Sequence, residues 1–261
     1  TQANLVSTTL ARSSSNSNYS FLFDGVDDRI LLTTDVGSNP QGENINLGTT
    51  SSISFWMKGA SGYSGQIFAN ENGNVRLWLS TTVCYLYIDG NFSTNFTSVF
   101  PLLTADNWHH VVVVRTAANS ASIYVNGTFI QTEGSSGTAW SGDTEISQIA
   151  ARDSGGGGTD YFEGNLSNIS IWNSALSAAN VTTLYNNGHP GDLSSFSPAP
   201  VSWWKLGDDA FATVASPTAW TIPDQIASND GTSEGNPDIS GDAPGSSNNG
   251  LSLNMTIEDR T

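Results

Sequence analysis

The side chains with the widest chemical reach in this chain are its aromatic rings, its carboxylates and three histidines, and their spacing sorts them. Tyr63, Trp140 and Tyr161 fall in segments read as rim loops, the last just after the run Gly155–Gly158. An exposed ring offers a flat apolar face to a sugar while Asn, Asp and backbone groups nearby take its hydroxyls, so these three are the candidate glycan contacts. The competing reading is that each ring closes its own loop onto the core. His109 and His110 follow Trp108 at a strand entrance, where alternation sends them to opposite faces and prevents joint ligation of one metal ion. A structural role is expected for both. His189, before Pro190, reads as a turn residue without a partner in sequence. Cys84 shares a face with Leu86 and Ile88, which makes it a buried, inert thiol, and a single cysteine allows no internal disulfide. No serine carries a recognisable nucleophile turn.

The elements that must position these groups are strands. Tyr19–Phe23 and Arg29–Thr33 flank a turn at Asp24-Gly25, and Ile53, Phe55 and Met57 alternate with Ser54, Trp56 and Lys58. The pairs Asn72-Gly73, Asp89-Gly90 and Asn126-Gly127 favour the positive φ angles of tight hairpins. Around them lie Val75–Leu79, Val83–Ile88, Val111–Arg115, Ser122–Val125 and Phe129–Thr132, followed later by Ile146–Ala150 and Leu166–Trp172. The four valines Val111–Val114 lack alternation, which predicts an interior strand covered on both faces. One short helix is expected, with Ser177 as N-cap, Val181, Leu184 and Tyr185 on one face and Gly188 at its end. Val201–Leu206 supplies a further strand. The spacing predicts an all-β, antiparallel β-sandwich of jelly-roll type with one short helix. Residues 1–18 read as a polar N-terminal arm and 19–207 as the sandwich domain. Residues 208–261 read as a C-terminal tail, poor in apolar anchors until Leu251, Leu253, Met255 and Ile257 alternate as a final strand.

Charge narrows the partners. With 24 acidic and 8 basic residues the formal net charge is −16, a field that repels phosphate backbones and anionic lipid and argues against nucleic-acid binding. No apolar run approaches the roughly 18 residues of a membrane span, and the opening TQANLVSTTL has no basic and apolar leader pattern. Asn-x-Ser/Thr sequons at Asn91, Asn95, Asn165, Asn168 and Asn180 are expected by chance in so polar a chain.

The segments YSFLFDGVDDRI, SSISFWMKG, IFANENGNVRLWL, TADNWHHVVVVR, SIYVNGTFI and FEGNLSNISIWNSALSAANVTTLYNNG, in this order, resemble the laminin-G-like and pentraxin family of concanavalin A-like sandwiches. VSWWKL stands where that family's closing strand runs. The resemblance implies a lectin-like binding module with calcium as its one cofactor. Residue by residue, Glu71 and Asn72 match the carboxylate and amide pair of one calcium loop and Asp153 matches an acid of the second, with Asp160 and Glu163 nearby; Arg152 stands where a further ligand is due. Glucanases of a related fold need two glutamates flanking an aspartate on one strand, and the nearest phrases here, Asp143-Thr144-Glu145 and Glu258-Asp259, have too few carboxylates. No catalysis is therefore expected. ANLVSTTL, FDGVDD and LSLNMTIEDRT are similar in phrasing to stretches of marine tailed-phage structural proteins. Together these readings predict a non-enzymatic virion surface protein, a capsid decoration or tail-fibre component with affinity for cell-surface or environmental glycan. Its arms would contact other virion proteins or copies of itself. The alternative is a secreted, calcium-dependent carbohydrate-binding or adhesion module. Either places the chain at a virion surface or otherwise extracellularly.

Overall fold

The structure, a computed structural model, describes residues 17–32, 45, 47–70, 75–82, 84–88, 92–134, 146–153, 158–215 and 218–245. Two antiparallel sheets enclose a single apolar core. The strands in chain order are β1 (Ser20–Asp24), β2 (Arg29–Leu31), β3 (Ser51–Gly59), β4 (Ser64–Ala69), β5 (Val75–Ser80), β6 (Cys84–Ile88) and β7 (Phe92–Asn95). They continue as β8 (His109–Ala117), β9 (Ser120–Val125), β10 (Thr128–Gly134), β11 (Gln148–Ile149), β12 (Arg152–Asp153), β13 (Gly158–Thr159) and β14 (Glu163–Trp172). After helix α1 (Ala178–Tyr185) come β15 (Ser202–Trp204), β16 (Phe211–Ala215), β17 (Thr218–Ile222), β18 (Gly231–Glu234) and β19 (Asp238–Ser240). The first sheet runs β10-β9-β8-β3-β14-β1-β19, with β15 also on β14; the second runs β16-β17-β18-β2-β11-β4-β5-β6-β7; β12 and β13 form a separate hairpin.

Alternation decides what each strand buries. Phe21, Phe23, Ile53, Phe55, Met57, Val111, Val113, Leu166, Ile169 and Ile171 from the first sheet meet Val75, Leu77, Leu79, Cys84, Leu86 and Ile88 from the second. The valine strand β8 is interior and covered on both faces, as its lack of alternation predicts: Val111 and Val113 enter this core, while Val112 and Val114 pack outward under α1 with Trp172, Val181, Leu184 and Trp203. Between β9 and β10, Asn126 and Gly127 both take positive φ, 50° and 76°, which fits the tight hairpin expected there. Ser177 caps α1 in a capping box with Asn180, and Asn186 in the left-handed region ends it two residues before Gly188. Tyr185 does not join the buried face of the helix but stacks on Trp56 and His110, at 5.9 and 6.1 Å between ring centroids.

Two boundaries differ from the expectation. Part of the segment from 208 belongs to the sandwich and does not stand outside it as a tail, because β18 pairs with β2 inside the second sheet and β19 pairs with β1 at the edge of the first. These strands are short and Gly/Asp-rich, and what holds them is backbone pairing to strands some 200 residues earlier, which composition does not announce. The arm boundary also moves inward: Ser17 is buried against Ser167 Oγ at 3.0 Å, and the backbone N–H of Asn18 donates to both Asp208 carboxylate oxygens at 2.9 and 3.1 Å. Asn165 and Asn168, two of the sequons named above, are buried in β14. The expected strand over residues 251–257 and the turns at Asn72-Gly73 and Asp89-Gly90 lie outside the described residues.

The β1–β2 turn carries a close carboxylate trio, Asp24, Asp27 and Asp28, with ligand oxygens within 4.8 Å of one another. Asp24 Oδ1 accepts from the N–H of Val26 and of Asp27, and Asp28 Oδ2 accepts from the N–H of Asp24, so the turn spends these oxygens on itself. Burial, opposed by that backbone bond and reinforced by the charges of Asp24, Asp27 and Asp238, pushes the Asp28 carboxyl up to about 6.

Two outcomes follow. A chain ending at residue 207 lacks β16–β19 and is expected to unfold at least about 10 °C below the full chain or to aggregate; an unchanged thermal transition would mean the late strands add nothing to the sandwich. For Asp28, a folded pKa above the ordinary carboxylate value means the stabilising protonated form is fully present below about pH 4 and lost as pH rises through about 6. Asp28→Asn keeps the acceptor and is expected to raise the Tm at pH 7.5 but not at pH 4. A variant no more stable at pH 7.5 refutes this.

Candidate functional site

The outer face of the second sheet collects aromatic and polar side chains that cross-strand register brings into two rows. Gln66 faces Trp78, Trp78 faces Tyr85 and Tyr85 faces Asn95; beside this row, Ala69 faces Arg76, Arg76 faces Tyr87 and Tyr87 faces Ser93. Directly opposed residues share a sheet face, so all of these point away from the core that Val75, Leu77, Leu79, Cys84, Leu86 and Ile88 fill on the other side. Trp78, Tyr85, Tyr87 and Arg76 are each half-buried, with part of each side chain open to solvent. Tyr85 and Tyr87 lie nearly parallel with centroids 6.1 Å apart, and Tyr85 Oη is 2.7 Å from Ser93 Oγ. The Arg76 guanidinium lies 4.8 Å from the Tyr87 ring centroid and 5.8 Å from that of Tyr85.

Beneath the rings the face is polar and unsatisfied. Gln66 is 1% exposed, and neither its amide nitrogen nor its amide oxygen has a hydrogen-bond partner. Gln148 Oε1 and the Nε atoms of Arg76 and Arg152 are likewise buried without one. Buried amides are ordinarily paired, because leaving one unmet costs roughly 1–3 kcal/mol. A face with flat, half-exposed rings can stack a pyranose ring, and the buried polar atoms beside them are groups that the protein itself leaves unpaired.

Several sequence candidates border this face. Gln66 N–H donates to the Asp160 carbonyl at 2.9 Å, and Asp160 and Tyr161 follow β13 directly. Gly65, extended on the positive-φ side at 153°, lets that segment lie against β4, since a Cβ there would meet Tyr161 O and Phe162 Cα at 2.4 Å. Tyr161 is half-buried at this margin. Asp160 is not a free metal ligand: its Oδ2 stands 3.3 Å from an Arg152 guanidinium nitrogen. The charge that breaks the calcium pattern in the sequence thus stands beside one of the carboxylates that the resemblance offers. Asp153 is described through its backbone in β12, while Glu71, Asn72 and Trp140 lie outside the described residues. Glu163 sits on the other sheet, opposite Asp24 in β1.

Tyr63 is corrected. It is 1% exposed, its ring packs edge-on against Phe162 at 6.4 Å, and its hydroxyl donates to the Leu103 carbonyl at 3.2 Å. The loop-closing reading applies, and no ring face is left for a sugar. The histidines are structural, as alternation predicts. His110 is buried, stacks on Trp56 at 4.8 Å and pairs through Nε2 with Ser54 Oγ at 2.7 Å, and burial pulls its pKa down to about 3. His109 Nε2 lies 3.0 Å from the Thr104 carbonyl. Cys84 is fully buried in the core, and burial raises its thiol pKa far out of the reactive range. A loop position does not mark the sheet-face aromatics; the alternation that turns Cys84, Leu86 and Ile88 inward does, since it turns Tyr85 and Tyr87 outward.

A second concavity, about 680 Å³, opens on the part of the first sheet that α1 leaves uncovered, with Asp24, Asp28, Lys58, Asp106, Glu163 and Asp238 in its wall. Its lone ring is Phe23, which is fully buried, and Lys58 is held by Asp242 at 2.5 Å. It offers negative charge without a stacking surface and suits a sugar less well than the other sheet does.

The comparisons agree with this architecture. Among curated protein sequences none matches the chain. Among solved structures, a protein of Bacteroides ovatus assigned to carbohydrate binding superposes with a TM-score of 0.62 at 16% identity, covering 87% of this chain and 61% of its own. The present chain therefore spans somewhat less than two thirds of that protein. The heptameric SAP-like pentraxin of Limulus polyphemus superposes with a TM-score of 0.50 at 16% identity, covering 64% of this chain and 82% of its own. At such identities both are likenesses of fold. A family model described as the concanavalin A-like lectin/glucanases superfamily matches residues 32–182, more than half of the sequence. With two antiparallel sheets, one short helix and that match, this chain belongs to the concanavalin A-like lectin/glucanases superfamily.

Proposed function

We propose that this chain is a non-catalytic module that binds polysaccharide on the outer face of its second sheet and acts outside the cell, at a virion surface. The observation that carries the binding reading is the conjunction, on one face, of Trp78, Tyr85 and Tyr87 with the buried, unpartnered amide of Gln66. Stacking supplies affinity, and the buried amide marks a donor and an acceptor on this face that the protein itself leaves unmet. Catalysis does not suit this face, because β4–β7 contain no Asp or Glu and glycoside hydrolysis requires a carboxylate pair.

The virion placement is supported by the polar composition of residues 1–18 and by the phage-like phrasing of the two ends. In this reading the ends hold the module to other virion proteins or to its own copies, as capsid decoration or in a tail fibre, and the sheet face meets cell-surface or environmental glycan. The calcium-dependent adhesion reading would require Asp160 to leave Arg152.

Affinity electrophoresis in gels containing soluble polysaccharides tests the proposal. Trp78→Ala and the double change Tyr85→Ala/Tyr87→Ala are expected to lower retention at least tenfold while shifting the Tm by no more than a few degrees, because these rings lie outside the core. Full retention by both variants would remove the sheet face as the binding site. Chelation with EDTA is expected to leave retention unchanged, and loss of retention would favour the metal-dependent module.

A further inference from the structure

We infer that the glycan bound on this face carries anionic groups, carboxylate or sulfate, and that Arg76 is the residue that reads them; the inference rests on the sheet-face reading above. The cations of the described chain show why. Arg29 pairs with Glu234 at 2.6 Å, Lys58 with Asp242 at 2.5 Å, Arg152 with Asp160 at 3.3 Å and Lys205 with Asp209 at 2.6 Å. Arg115 is buried and donates to the carbonyls of Gly48 and Ala118 at 2.6 and 2.9 Å. Arg76 is the remaining one among the described residues, with neither a carboxylate nor a hydrogen-bond acceptor. In a chain of net charge −16 with three acids to each base, an arginine finds a carboxylate unless its surroundings exclude one. Among the described residues they do: β4, β5, β6 and β7 carry no acidic residue.

The geometry suits an anion. Tyr87 and Tyr85 lie under the guanidinium and limit its rotation, and its Nε is already buried, so little side-chain freedom remains to be lost on binding. A planar guanidinium fork takes carboxylate or sulfate oxygens through two parallel N–H donors. Gln66, buried and unpartnered across from Trp78 in the neighbouring row, provides an independent mark of a ligand on the same face. The acidic field of the rest of the surface is screened within about 8 Å at physiological ionic strength, so a local cation prevails over it at contact distance. A saccharide that stacks on the rings and turns a charged substituent toward Arg76 would meet both rows at once.

The test uses the full chain and pairs of polysaccharides that share a backbone and differ in charge: polygalacturonate against its methyl ester for carboxylate, and carrageenan against its desulfated form for sulfate. Wild type is expected to be retained at least tenfold more by one charged member than by its neutral counterpart, and the pair in which this occurs identifies the anion. Arg76→Gln is expected to abolish that preference while keeping whatever retention the neutral member gives, and Arg76→Lys to restore part of it. Equal retention of charged and neutral members by wild type, retention of none of the four, or an intact preference in Arg76→Gln would overturn the inference. The parent reading fails separately, if Trp78→Ala and Tyr85→Ala/Tyr87→Ala still bind while Arg76→Gln has lost its charge preference. Far-UV circular dichroism and Tm keep a misfolded variant from being read as a binding defect.

Discussion

The register of β4, β5 and β6 is the constraint on which the aromatic face of the second sheet depends. In a strand the side chains alternate, so a slip of one residue in any of these pairings would carry Val75, Leu77 and Leu79, or Cys84, Leu86 and Ile88, out to water and bring the aromatic set inside. Each of those apolar side chains, fully buried, is worth roughly 1.5–3 kcal/mol. The core therefore determines the face: Arg76, Trp78, Tyr85 and Tyr87 stand outside because their neighbours cannot.

Much of this was legible from the residues. The valine run of β8, the Asn126-Gly127 hairpin and the Ser177 cap each have one local cause, and local causes can be read in sequence. Cys84 was legible for the same reason, since alternation alone decided its burial. The late strands were not. Their apolar anchors are sparse, with Ile222 fully buried and Trp220 and Ile239 partly so against the core, and their partners β1 and β2 lie at the other end of the chain. Pairing across that distance is a tertiary fact and leaves no period in the sequence. Tyr63 illustrates the opposite error. A loop tyrosine between glycine and serine looks exposed, yet Phe162 and the Leu103 carbonyl give both its ring and its hydroxyl a buried partner.

The two sheets divide their tasks through what covers them. Helix α1 closes part of the first sheet from outside with Val181 and Leu184 and stacks Tyr185 on Trp56 and His110, whose Nε2 pairs with Ser54. No helix among the described residues covers the second sheet; buried polar atoms without a partner occur on both, at Nδ1 of His109 and His110 on the first and at Gln66, Arg76 and Gln148 on the second. No helix among them is long and apolar enough to cross a membrane either. The same fold thus provides one insulated layer and one open one.

The pairing of β19 with β1 has a mechanical corollary. Ser20, the first residue of β1, stands opposite Ser240, the last of β19, and Ser20 Oγ donates to the Asp242 carbonyl at 2.6 Å. The two outlying segments consequently depart from one corner of the sandwich, not from opposite poles. Whatever holds this module by its ends grips it at a single pivot, so pulling force would load the short β1–β19 ladder first and leave the rest of the first sheet, and all of the second, outside the line of tension.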